Sequence, residues 1–200
     1  MTGADPDYDV VVLGGGSGGY ACALRSAQLG LRVALVERDR LGGTCLHRGC
    51  IPTKALLHAA EVADTARDGA RFGVHSTVES IDLAAVLGYQ QGVVAQLHKG
   101  LQGLVSAASI DYVEGTGRVL SATEVRVGDR VLRGRTLVLA TGSTAASLPG
   151  LDLGGRVVGS DQALTLTQLP ESVVVLGGGV IGVEFASIFR SFFLQIALRT

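Results

Sequence analysis

Two hundred residues, 47% hydrophobic and 18% charged with a net charge of −1, leave room for one or two domains with a real core. That balance gives no electrostatic reason to expect a nucleic acid or an anionic membrane as partner. No run of about 18 apolar residues occurs, and the first residues lack the basic flank and apolar stretch of a signal peptide, so a cytoplasmic chain without a membrane span is expected.

The 29 glycines, set among Val, Leu and Ala runs, suit buried parallel strands joined by tight turns. Asp9-Val10-Val11-Val12-Leu13 reads as a short apolar strand, followed at once by Gly14-Gly15-Gly16-Ser17-Gly18-Gly19. A helical pattern runs from about Tyr20 to Leu29 and stops at Gly30, and Leu31 to Glu37 forms a second strand ending on an acid. This is a full dinucleotide-binding fingerprint. Gly14 makes the tight turn, Gly16 admits a pyrophosphate, Gly19 lets helix and strand pack closely, and Glu37 accepts from a ribose hydroxyl. The phosphates are expected at the helix N-terminus.

Next comes Gly42-Gly43-Thr44-Cys45-Leu46-His47-Arg48-Gly49-Cys50-Ile51-Pro52-Thr53-Lys54, continuing as a helix to about Arg67 with Ala55, Leu56, Ala59, Ala60, Val62 and Ala63 on its apolar face. In a regular helix, residues five apart lie about 8.7 Å apart at Cα on faces roughly 140° apart. A disulfide needs roughly 4.4–6.8 Å, so a regular helix forbids a Cys45–Cys50 bridge. Pro52 supplies the distortion, because it has no N–H for Arg48 and its ring crowds that carbonyl, while Gly49 relaxes the backbone between them. The pair reads as a strained, redox-active dithiol near a helix start. Three cysteines are too few for a disulfide framework. Cys22 falls on an apolar helix face and is expected in the core. His47 lies between the paired cysteines, but zinc wants four ligands and no second pair exists, so no metal is expected. His47, His58, His75 and His98 are expected in loops or on exposed faces.

Gly69 to Ser80 reads as a connection, and Asp82 to about Ala107 as a long helix weakened by Gly88, Gly92, Gly100 and Gly103. From Asp111 the period changes to two. Tyr112–Val119, Glu124–Val127 and Arg130–Leu132 look like a small meander turned at Gly128-Asp129, and Thr136 onward is a buried strand running into Ala140-Thr141-Gly142-Ser143. Leu148-Pro149-Gly150 and Leu153-Gly154-Gly155 read as a linker. Val174 to Gly182 then repeats Val11 to Gly19: Val, Val, Leu, three glycines and the final glycine are identical. Two fingerprints imply two dinucleotide sites. Continued in register, Phe193 stands where Gly30 does and Thr200 where Glu37 does, so the acid is missing and a truncated chain is expected. Its exposed apolar surface predicts poor solubility.

The stretch from Cys45 to Leu57, with Gly-Gly-Thr before it, resembles the active site of the pyridine nucleotide–disulfide oxidoreductases, and within them is most similar to the dihydrolipoamide dehydrogenase branch. Glutathione and mercuric reductases share the C-x4-C frame but usually differ after the second cysteine. The resemblance covers Tyr8 to about Arg190. It implies an α/β fold: an FAD-binding Rossmann-like domain of glutathione-reductase type with a small β-meander over residues 1–148, then the start of a second, NAD-binding Rossmann-like domain over 149–200, without the C-terminal interface domain.

It further implies that Cys45 is the interchange thiol and Cys50 the flavin-facing one. Arg38, Gly43, Thr44, Lys54, Gly117, Ala140, Thr141 and Gly142 would join the first fingerprint in holding FAD, with Lys54 near the flavin ring. Gly177, Gly179, Ile181 and Gly182 would form an incomplete NAD site. The implied reaction is dihydrolipoamide and NAD+ to lipoamide and NADH, the substrate being carried on lipoyl domains of 2-oxo acid dehydrogenase complexes, with the full-length parent a homodimer. A glutathione- or mercury-reducing enzyme, or a non-catalytic FAD-binding fragment, are the alternatives.

Overall fold

Both fingerprint segments fold as strand, glycine loop, helix and strand in the computed structural model, which describes residues 6–192 and 195–199. Phe193 and Thr200, on which the register argument for the second segment rests, lie outside the described residues. The chain divides into two compact units, Met1–His47 with Ala95–Thr144, and Arg48–Val94 with Ala145–Thr200.

The first unit is built on a six-stranded sheet. In chain order its strands are β1 (Tyr8–Leu13), β2 (Val33–Glu37), β3 (Asp111–Glu114), β4 (Gly117–Val119), β5 (Glu124–Val127) and β6 (Arg130–Leu139), arranged β3-β2-β1-β6-β5-β4. β1 runs parallel to β2 and to β6, pairing Val11 with Ala34 on one side and with Leu137 on the other. β2 is parallel to β3, while β4 and β5 close the far edge in antiparallel pairs. Val11, Leu13, Ala34, Val36, Val113, Val125 and Leu132 form the core of this sheet. A strand flanked by parallel partners on both edges is buried along its length, which is why the β-branched run of β1 carries no alternating polar residues. Helix α1 (Ser17–Gln28) packs on it through Gly19 and Ala23, and a short helix α2 (Gly43–Arg48) follows β2.

The second unit holds α3 (Cys50–Asp68), a short 3₁₀ turn at Gly69–Phe72, the first part of α4 (Leu83–Ala107), α5 (Ser160–Ala163), the parallel pair β7 (Ser172–Leu176) and β8 (Gln195–Arg199), and α6 (Val180–Ser191). Leu56 and Ala60 of α3 pack with Phe185, Ile188 and Phe189 of α6 and with Leu164. Buried Gln90 donates to the Leu164 carbonyl at 3.2 Å.

Some expectations are corrected. The segment 112–119 is not one strand: Gly115 breaks it at φ 145°, sending its first half to the parallel sheet and its second half to the antiparallel edge. Arg130–Leu132 and Thr136–Leu139 are one continuous strand, antiparallel to β5 at its start and parallel to β1 at its end. Its second half is not buried, for Leu139 is 64% exposed. The glycines of α4 leave that helix unbroken over 25 residues. Cys22 is only half-buried, because Ala23 takes the inward position on α1. Val62 is exposed on α3, lying off the stripe formed by Ala55, Leu56, Ala60 and Ala63.

Candidate dinucleotide loops and cysteine pair

At the first loop the backbone does what only glycine allows. Gly14 sits at φ 108°, and a Cβ there would lie 2.1 Å from the Ala140 carbonyl oxygen. A Cβ on Gly19 would lie 1.7 Å from the carbonyl oxygen of Gly14. These two glycines bring the end of β6 and the start of α1 against the turn. Ala140 donates its N–H to the Leu13 carbonyl at 2.8 Å, and Thr141 and Gly142, both exposed, follow it in the chain. Gly16 caps α1 with extended backbone and no side-chain cap, and its carbonyl accepts the Tyr20 N–H at 2.9 Å. The first-turn N–H groups of Ser17, Gly18 and Gly19 therefore point out of the helix end, and that turn carries no acidic residue. That is the donor set a pyrophosphate fits.

Glu37 closes the other side. Its Oε2 accepts the Gly15 N–H at 2.7 Å and its Oε1 the Asp39 N–H at 2.8 Å, which fixes the carboxylate and leaves lone pairs for ribose hydroxyls. Arg38, next in the chain, is exposed. The segment leading to the cysteines is tied to the same loop, since Gly42 donates to Gly15 at 2.8 Å and bridges Gly16. A Cβ on Gly43, at φ 59°, would lie 2.6 Å from the Gly16 Cα. Gly43 thus lets this segment meet the loop backbone to backbone, with exposed Thr44 following it. Gly117 lies lower in the sheet, where a Cβ would meet the Leu13 side chain at 2.4 Å.

The second loop repeats this geometry. Gly177 sits at φ 101° and donates to the Arg199 carbonyl at 2.8 Å. Gly179 caps α6 with extended backbone, and a Cβ on Gly182 would lie 2.2 Å from the Gly177 carbonyl oxygen. Ile181 is 60% exposed on the first turn of α6.

The cysteines stand on either side of a helix break. α2 ends at Arg48, Gly49 leaves the helical region at φ −145° and ψ −117°, and α3 begins at Cys50. Pro52 falls in the first turn of α3, where a missing N–H costs nothing. Thr53 secures that turn by donating its hydroxyl to the Gly49 carbonyl at 2.6 Å. Cys22 and Cys45 are half-buried and Cys50 is exposed. Cys50 lies at the positive end of the α3 dipole, with no acidic residue in the first turn.

Lys54 on α3 reaches Glu184 on α6 at 2.5 Å. Glu184 escaped the sequence reading. Its only signal there is an acid in the helix following the second glycine loop, where the first copy has Ala21. Gly15 and Gly42 were missed as well, because their roles lie in backbone hydrogen bonds rather than in residue type. His47 and His98 are not on exposed faces: both are half-buried and stack edge-on, with ring centroids 4.9 Å apart. Among the described residues no group of three His, Cys, Asp or Glu side chains could hold a metal ion. No described helix is long and apolar enough to cross a membrane.

Two glycine loops of one shape, each between a parallel strand and a helix, define a dinucleotide-binding α/β protein of Rossmann type. The pyridine nucleotide-disulphide oxidoreductase pattern matches residues 8–198, and the chain belongs to that family. It is 43% identical over 206 residues to a dihydrolipoyl dehydrogenase of Bacillus subtilis, a match covering 96% of this chain and 44% of that one. A leghemoglobin reductase of Vigna unguiculata is 41% identical over 196 residues, covering 94% of this chain and 37% of the relative. Among solved structures, the Cu(II) complex of the HOCl-induced flavoprotein disulfide reductase RclA from Escherichia coli has a TM-score of 0.78 at 30% identity, covering 94% of this chain and 41% of that one. The chain thus spans about two-fifths of the length of these relatives.

Proposed function

We propose that the chain serves a flavin-dependent disulfide oxidoreductase of the dihydrolipoamide:NAD+ type. FAD is assigned to the Gly14–Gly19 loop with Glu37 on its ribose, and Arg38, Gly43, Thr44, Lys54, Gly117, Ala140, Thr141 and Gly142 are the further residues assigned to it. NAD is assigned to the loop of Gly177, Gly179, Ile181 and Gly182. Residues 1–148 are read as the FAD-binding domain and 149–200 as the start of the NAD-binding one. The observation that carries the flavin half is the Glu37 carboxylate fixed by the Gly15 N–H beside an open helix N-terminus. The relatives named dihydrolipoyl dehydrogenase support a dihydrolipoyl group as the substrate class.

The thiol chemistry balances within the cysteine pair. One substrate sulfur attacks Sγ of Cys45 in the oxidised pair, breaking the Cys45–Cys50 bond and releasing Cys50 as thiolate at the α3 N-terminus. The second substrate sulfur attacks the mixed disulfide, freeing Cys45 and leaving the substrate as a cyclic disulfide. Two electrons then reside on the pair as two thiols. When bound, FAD supplies the two-electron relay that reoxidises the pair and passes the equivalents to a nicotinamide.

The test is the visible spectrum of the purified chain after incubation with FAD, before and after a dithiol is added. A retained flavin that gains a long-wavelength thiolate–flavin band on reduction is the expected result. A colourless protein would sink the flavin reading. Glutathione or mercuric ion outcompeting lipoamide in a turnover assay would redirect the substrate.

A further inference from the structure

Cys45 lies on a helix of six residues, far too short to hold its own shape. What the neighbours of Cys45 touch therefore helps to set how that helix sits. Side chains step by about 100° along a helix, so Cys45, Leu46 and His47 fan out in three directions. Leu46 points into the core and is buried. His47 Nε2 lies 2.9 Å from the carbonyl oxygen of Leu41, a residue only 1% exposed in the segment preceding α2. A carbonyl can only accept, so Nε2 carries the proton and donates. On the other side of the ring, Nδ1 is buried with no hydrogen-bond partner among the described residues. An imidazole left half-satisfied in this way calls for a reason beyond its own hydrogen bonding. The reason is in its contacts. His98 of α4 meets the His47 ring edge-on at an interplanar angle of 76°. Burial, then the neighbouring His47 and Arg40, push the His98 pKa down, which keeps the His98 ring uncharged at neutral pH.

We propose, building on the thiol–disulfide role assigned to the cysteine pair, that His47 is a positioning residue for Cys45. It locks the last turn of α2 onto the Leu41 carbonyl, with His98 as the backstop that stops the ring from turning away. Leu41 directly precedes Gly42 and Gly43, which join the first glycine loop backbone to backbone, so the lock ties the thiol-bearing helix to the dinucleotide loop. Removing the donor strands a buried carbonyl and frees the turn that keeps Cys45 half-buried.

The test uses the full chain with Cys22→Ser and Cys50→Ser, so that Cys45 is the one thiol, and follows its alkylation by iodoacetamide. His47→Leu is expected to speed alkylation roughly tenfold, the factor that corresponds to losing about one buried hydrogen bond. His47→Gln keeps a donor at the Nε2 position and is expected to return the rate to within about twofold of the parent, which general loosening of the fold would not do. Should His47→Leu fail to fold, His98→Ala carries the test, with an expected rise of about threefold in a chain whose circular dichroism is unchanged. Parental rates in His47→Leu, or in His98→Ala where that stands in, overturn the proposal, as does a glutamine variant as fast as the leucine one. The readout needs no flavin, so failure here is separate from failure of the spectral test.

Discussion

The two glycine loops are a natural experiment in what a motif encodes by itself. Residue for residue, Val11–Gly16 and Val174–Gly179 are the same, and so is their backbone. The turn glycines sit at φ 108° and 101°, the capping glycines both at φ −70°, and the first helical hydrogen bonds measure 2.9 and 3.0 Å. What differs is the company. Val11 is 1% exposed and Val174 63%; Leu13 is 8% exposed and Leu176 56%. β1 has parallel neighbours on both edges, whereas β7 pairs with β8 alone among the described strands. The loop's shape is therefore a local property of glycine placement, while the burial of its strand is supplied by segments far away in sequence.

The sharpest way to break this comparison is at the turn glycines. Gly14→Ala meets the Ala140 carbonyl at 2.1 Å as well as an unfavourable positive φ, whereas nothing lies within 4 Å of the same Cβ at Gly177. Gly14→Ala should cost about 3 kcal/mol or more, and Gly177→Ala only the backbone strain of about 1 kcal/mol. Urea unfolding midpoints of the two variants measure this. Equal losses would mean that β6 does not press on the first loop.

That contact also marks where the sequence stops being readable. Period, glycine spacing and the terminal acid of β2 suffice to find β1, α1 and β2, because each signal acts within a few residues. Nothing in those residues says that β6 inserts beside β1 and sets Ala140 against Gly14. Likewise Cys45, Cys50, Gly49 and Pro52 announce a helix break, since proline and glycine act on their own backbone. The Lys54–Glu184 pair and the His47–His98 contact join residues of separate elements, and no periodicity carries that information. Meander boundaries failed for a related reason: Gly115 at φ 145° switches one extended run between two sheet partners without changing its alternation.

A second contrast sharpens the burial argument. Val11→Ala removes two methyl groups from a packed sheet core and is expected to lower stability by roughly 2 kcal/mol, while Val174→Ala should stay within about 0.5 kcal/mol. Thermal unfolding of both variants reads the difference directly. A Val174 loss as large as that of Val11 would mean that β7 is covered in solution.

The smallest expected effect is electrostatic and belongs to the first sheet, where β1, β3 and β6 carry Tyr8, Asp111 and Arg130. Tyr8 donates its hydroxyl to Asp111, and Arg130 reaches the same carboxylate at 2.9 Å. The Tyr8 hydrogen bond, and after it Arg130, outweigh partial burial and hold Asp111 below the usual carboxylate range. Between the lowered folded value and the ordinary one near ~4, the unfolded chain binds more protons, so stability rises with pH. The contribution is complete above that ordinary value and fades as pH falls through the folded one. The alkaline side has the opposite sign. Burial, then Asp111, push Tyr8 up to about 12, so its proton is held in the fold after an unfolded tyrosine has lost it near ~10. That share of stability is complete below ~10 and is lost as pH rises through about 12. Tyr8→Phe removes the phenol and the main support of Asp111 together, so it should flatten both arms of the stability–pH curve while shifting the neutral plateau by under ~1 kcal/mol, because solvent screens a pair this exposed. Unchanged acid and alkaline arms in Tyr8→Phe would show that the sheet draws its pH dependence from other groups.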